Sequence, residues 1–198
     1  MWPGWNRCDA SLCKPEQRTD REQERTGERE AGFPSLPGSY ILVLRSDHQA
    51  VIPIGRLGAG TVTPGWYLYT GSALGAGGLR GRLQHHLRPV ARPHWHIDFL
   101  RQVCAVTAVW YAVGERRWEH DWAGLLAQQA QPAPCPGFGA SDCRCIAHCF
   151  FLSKKPSPVQ FVADAQRLHP DHPAVEQRII EASERTAQQT FNQALNWI

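Results

Sequence analysis

Between Gly38 and Leu152 the chain alternates short apolar runs with helically spaced apolar stripes, and polar stretches flank this block on both sides. Tyr40-Ile41-Leu42-Val43-Leu44, opened by Gly38, reads as a buried strand. Trp66–Thr70 is a second such run, opened by Pro64-Gly65 and closed by Gly71. Between them, Ala50-Val51-Ile52-Pro53-Ile54 predicts a strand that forms a hairpin with the first, its proline assigning it to an edge. Leu79, Leu83 and Leu87 recur every fourth residue, the period of one helix face, and Pro89 ends that helix. A short helix over His94–Leu100, a strand over Val103–Val113 and a helix over Arg117–Gln129 follow. Residues 130–145, rich in proline and glycine, predict a loop, and Ile146–Leu152 a closing strand.

The expected fold is α/β of the α+β kind, a small, mainly antiparallel sheet of three or more strands flanked by helices. Residues 1–37 read as a disordered or weakly ordered extension, because Thr19–Glu30 is wholly polar with alternating charge and buries no face. Residues 38–153 form the folded domain. After the linker Lys154–Pro158, helices are expected over Val159–Leu168 and Pro173–Ile198, giving a helical extension over 154–198.

With 198 residues and a 42% hydrophobic share, the chain suffices for one domain with extensions. No run reaches a membrane span and the N-terminus lacks a secretory h-region, so a cytoplasmic protein is expected. Seven cysteines, an odd number, argue for reduced thiols or metal ligands over a disulfide framework. The net charge of +3 decides little, but its placement does. From Arg80 to Arg101 the chain carries five arginines and four histidines against Asp98 alone, a basic surface for phosphates. Arg80, His85, Arg88, His94 and His96 are the nucleic-acid-binding candidates. His94 and His96 also have a bland reading, hydrogen bonding within the core, which ranks slightly ahead.

Gly71, Gly75, Gly77 and Gly78 lie between the second run and the basic helix, where backbone can approach a ligand closely. Gly38-Ser39-Tyr40, Tyr69-Thr70-Gly71 and Leu79-x-x-Arg82-Leu83 together resemble the GIY-YIG nuclease superfamily. The middle residue of each triplet is substituted, and 28 residues separate Tyr40 from Tyr69, more than the common pattern has. The Uri-like branch has this longer connection, and also segments like His94–Asp98 and Gly137–Cys145. The resemblance covers roughly residues 38–152.

It implies a divalent-metal-dependent endonuclease acting on DNA, structured or double-stranded. Glu119 would be the carboxylate ligand of one Mg²⁺ or Mn²⁺, with Glu115 and Asp121 as nearby rivals. Arg82 would hold a phosphate oxygen, Tyr40 would act as general base with Tyr69 orienting it, and His86 would relay a proton or bind phosphate. A tyrosine serves as base near neutrality only if positive charge lowers its pKa, a task expected of Arg82 and the metal. The alternatives are a non-cleaving nucleic-acid-binding module on the same fold, or an interaction protein acting through its C-terminal helix.

Cys143-x-Cys145-x-x-His148-Cys149 offers soft ligands that a structural Zn²⁺ could use. Cys-x-Cys is not the paired Cys-x-x-Cys of zinc modules, so reduced thiols are the preferred reading.

Overall fold

β1 (Gly38–Ser46) owes its continuous apolar sequence to burial on both faces. Tyr40, Leu42 and Leu44 enter one core cluster with Leu79, Leu83, Ile97 and Leu100, while Ile41 and Val43 enter another with Trp110, Trp122, Phe150 and Phe161. The computed structural model, which describes residues 32–181, is thus a layered α+β fold with a core on each side of one sheet.

The remaining elements are β2 (Ala50–Pro53), a 3₁₀ turn (Gly55–Leu57), β3 (Ala59–Val62), β4 (Gly65–Ala73), α1 (Gly78–Leu87), α2 (His96–Arg101) and β5 (Ala105–Val113). They continue with α3 (Glu119–Ala127), β6 (Gln131–Pro132), β7 (Cys149–Leu152), α4 (Pro158–Leu168) and β8 (Glu176–Ile179). The sheet runs β6-β7-β4-β1-β5-β8, antiparallel at every pairing, and β2-β3 is a separate two-stranded ribbon. Among the described residues no helix is long and apolar enough to cross a membrane.

Two expectations are corrected. β2 pairs with β3, not with β1, because both long edges of β1 are already taken by β4 and β5. The long connection between the two tyrosines is therefore a ribbon set outside the main sheet. Within the proposed C-terminal helix, Glu176–Ile179 is the edge strand β8, paired with β5. Its Tyr111↔Glu176 register is reinforced by a 2.7 Å hydrogen bond from the tyrosine hydroxyl to the carboxylate. The rest of that expected helix, and the expected N-terminal disorder up to residue 31, lie outside the described residues. α4 begins as its sequence asks, with Ser157 capping the backbone N–H of Gln160 and Pro158 in the first turn. Phe161 and Ala165 carry α4 into the core against Trp110 and Trp122, so residues 158–179 pack with the domain.

Sheet pairing leaves one place open. β7 covers β4 only from Trp66 to Tyr69, while β1 pairs with it to Ala73. Beyond the bond from Thr70 N to the carbonyl of His148, the Gly71–Ala73 end of β4 has no strand on that side. The candidate site forms there, where groups from both faces meet.

Candidate functional site

The triplet glycines work by their absence of side chain. Tyr40 sits opposite Gly71 in the β1–β4 register, and a Cβ on Gly71 would stand 2.4 Å from the Tyr40 ring and hydroxyl. A Cβ on Gly38 would stand 2.4 Å from the carbonyl of Ala112 and 2.7 Å from Leu79. One glycine therefore lets Tyr40 lie flat across β4, and the other lets α1 close on β1. With α1 seated this way, His86 faces Tyr40 one helical turn beyond Arg82.

Tyr40, Tyr69, Arg82, His86 and Glu119 line one cavity of about 470 Å³, together with Ser72, His94, Trp95, His96, Arg117, His120 and Cys143. The hydroxyl of Tyr40 and Nε2 of His86 are 2.7 Å apart and buried. Burial drives the Tyr40 pKa well above that of a free phenol, and neighbouring Tyr69 adds to it; Arg82 pulls the other way but is outweighed. The expectation that Arg82 would bring Tyr40 into working range is thus not met in the protein alone. Tyr69 is likewise raised, first by burial and then by Glu119. Burial pushes His86 well below the ordinary imidazole value, with Arg101 and Arg82 adding to the effect. Near neutrality His86 is uncharged and Tyr40 is a phenol. The phenol can therefore donate to the imidazole.

Arg82 is half-buried, its guanidinium 4.6 Å from the centre of the Trp95 ring. Trp95 is placed by Asp98, whose carboxylate accepts from the backbone N–H of His94 and Trp95 at 3.1 and 3.0 Å. Asp98 also holds the buried Arg101, whose pKa burial draws down to about 10, and Arg101 in turn bonds the carbonyl of Arg88. The buried ion pair thus clamps the end of α1 to the start of α2.

Glu119 opens α3. Its Oε2 accepts a 2.6 Å hydrogen bond from Ser72, and its Oε1 lies 2.8 Å from Nδ1 of His148. Burial raises its pKa, but the His148 and Ser72 contacts outweigh that and the net shift is downward, so it is a carboxylate near neutrality. Glu115 and Asp121 do not line the cavity; Asp121 pairs with Arg116 instead.

The basic candidates divide. His94 and His96 line the cavity, and Nδ1 of His96 accepts from the backbone N–H of Gly139, fixing the loop before β7. Arg80 does not line it: its Nε donates to the carbonyl of Phe33 at 2.9 Å, tying the entry segment to α1. His85 stacks edge-on against Trp95 and lines a smaller hollow of about 260 Å³ outside the main cavity. Arg88 lines neither.

The cysteine cluster also needs correction. Cys149 is buried in β7 opposite Tyr69, packs into the apolar core, and has its thiol pKa pushed well up by burial. It therefore does not join Cys143, Cys145 and His148. Their companion is His120 from α3, and the four ligand atoms lie within 4.8 Å of one another, a group that could hold a metal ion. All five described cysteines are free thiols. Burial and the adjacent Cys143 push Cys145 up to about 11. Ser72, His120, Trp95 and Arg117 also line the cavity, and no sequence motif assigns them a role. Ser72 follows the Tyr-x-Gly triplet directly and could have been suspected, whereas nothing in the sequence joins His120 to residues 143–148.

The fold and site define an α+β domain with a polar, arginine- and histidine-lined cavity at an uncovered strand end. Residues 39–169 match the family described as "Domain of unknown function DUF123", and the chain belongs to it. No curated protein and no solved structure matches the chain.

Proposed function

We propose that this domain is a divalent-metal-dependent endonuclease that hydrolyses phosphodiester bonds in DNA, on a GIY-YIG-like site. The observation that carries the reading is the convergence of Tyr40, Tyr69, Arg82, His86 and Glu119 on one cavity, although their sequence positions span 80 residues. Phosphoryl transfer asks for little covalent help and much positioning and charge stabilisation.

The residues fit a single-carboxylate Mg²⁺ or Mn²⁺ site. Glu119 is ionised and lines the cavity, and Ser72 and His148 occupy only one acceptor position on each oxygen. Such an ion would offset charge on the phosphate and on the departing oxygen. Arg82, stacked on Trp95, presents its planar fork to a non-bridging oxygen. Tyr40 accepts a proton from the attacking water as it passes its own to neutral His86, so no free phenolate is needed. The water's O–H bond breaks, its oxygen attacks phosphorus, and the bond to the leaving oxygen breaks. A bound phosphate beside Arg82 offsets that guanidinium's charge and so makes His86 a better acceptor. The groups contact phosphate and not base edges, so recognition of DNA shape is expected over sequence.

Cleavage of supercoiled, single-stranded and branched DNA under Mg²⁺ or Mn²⁺ tests the reading. Wild type is expected to cleave, and Arg82→Ala to lose about 10²–10³-fold in rate. Binding without cleavage by wild type would replace the reading with a non-cleaving DNA-binding module.

A further inference from the structure

At the cavity wall that holds His120 and Cys143, three ligand-type side chains from the loop before β7 meet one from α3. Nδ1 of His120 lies 3.3 Å from Sγ of Cys145, and Nε2 of His148 lies 3.3 Å from Sγ of Cys143. A tetrahedron of zinc–sulfur and zinc–nitrogen bonds has edges of about 3.3–3.8 Å. The four atoms, all within 4.8 Å of one another, need only a small contraction to reach it.

We propose that His120, Cys143, Cys145 and His148 bind one zinc ion as a closed, four-coordinate site. Two thiols and two imidazoles favour zinc over the hard cations expected at a lone carboxylate. Each thiol releases its proton to solvent on binding, and the two thiolates balance the ion's charge.

A second observation points the same way. Nδ1 of His148 faces Oε1 of Glu119 at 2.8 Å, which leaves Nε2, the atom beside Cys143, as the ligand. A carboxylate on the far nitrogen of a ligand histidine is the usual device for fixing its tautomer and orientation. Zinc would also staple residues 140–145 to α3, a stretch with no strand or helix of its own. The zinc site does not depend on the nuclease reading. Should that reading hold, zinc positions Glu119 through His148 while the same carboxylate faces the cavity.

The test uses the full chain, purified under reducing conditions, with cobalt(II) as probe and zinc as competitor. One cobalt per chain is expected, with tetrahedral ligand-field bands and thiolate-to-cobalt charge transfer that stoichiometric zinc abolishes. His120→Ala and Cys145→Ser should each weaken cobalt binding at least about tenfold, and Glu119→Gln by about tenfold. Cys149→Ala should leave the spectrum unchanged. A readout without variants is alkylation of the native wild-type chain mapped by mass spectrometry: zinc should protect Cys143 and Cys145, and chelation should expose them, with Cys135 unaffected. An octahedral spectrum without charge transfer, a wild-type spectrum from His120→Ala, or no protection of the two thiols would overturn the site. None of these readouts involves cleavage, so failure of the zinc site and failure of the nuclease reading are told apart.

Discussion

The cavity has two unlike walls. One, made by β1, β4 and α1, is held by packing: Tyr40 lies across Gly71, its hydroxyl meets His86, and neither ring is charged near neutrality. The other, made by the end of β4, α3 and the loop before β7, is held by polar contacts: Ser72 and His148 grip Glu119, and His120 and two thiols gather beside them. The first wall is set by close approach of backbone and ring, so its failures will be steric. The second is set by charge and ligand chemistry, so its failures will follow protonation and metal.

The comparison can be broken most forcefully at Glu119. Glu119→Gln keeps an acceptor for Ser72 but removes the charge, so cleavage of plasmid DNA should fall below detection while the chain still folds, as read by circular dichroism and a cooperative thermal transition. Loss of the folding transition together with cleavage would mean that Glu119 acts chiefly in holding the fold. Asp98→Ala comes next. It strips the buried Arg101 of its carboxylate and releases the Trp95 backbone, at a cost of about 3–5 kcal/mol read by urea unfolding. A loss under about 1 kcal/mol would show that the clamp bears little of the stability.

Gly71→Ala is a sharper probe of the packed wall. The added methyl meets the Tyr40 ring at 2.4 Å, and the expected loss is about 1–3 kcal/mol. Tyr40→Ala in the same chain should recover part of it, and a double-mutant cycle without coupling would contradict the steric account. The smallest effect concerns pH. Folding keeps His86 below the ordinary imidazole value, so below about pH 6.5 the unfolded chain binds a proton that the folded chain resists. Its stabilisation is complete above that pH and is lost as pH falls through the window toward the folded value. Unfolding midpoints from about pH 7.5 to 5 should decline less steeply in His86→Gln than in wild type.

The packed wall was the legible one. Gly-x-Tyr, Tyr-x-Gly and Leu-x-x-Arg-Leu are short-range patterns, and the strand and helix periods carry their side chains to one place once β1 pairs with β4. The apolar runs gave β1, β4, β5, β7, α1 and α4 within a few residues. What misled was partner choice. Ala50–Pro53 is a strand, as expected, but its partner is β3, because β1 had no free edge to offer. Glu176–Ile179 is largely exposed, on an edge that only β5 supplies, and its residues alone do not distinguish an edge strand from a helix.

The polar wall belongs to the tertiary structure. The sequence by itself determined a mainly antiparallel α+β domain and a clutch of soft ligands near residue 145, while the grouping of Tyr40, Tyr69, Arg82, His86 and Glu119 was what the family resemblance implied. It could not say which of two adjacent residues, His148 or Cys149, faces the cluster, since that depends on where β7 begins and on which face its first residue takes. Nor could it bring His120 across 23 residues to Cys143, because nothing local ties the start of α3 to that loop. Periodicity reports the environment of a segment along its own axis. A ligand set is a distance between segments, and only the packing of α3 against the open end of β4 fixes it.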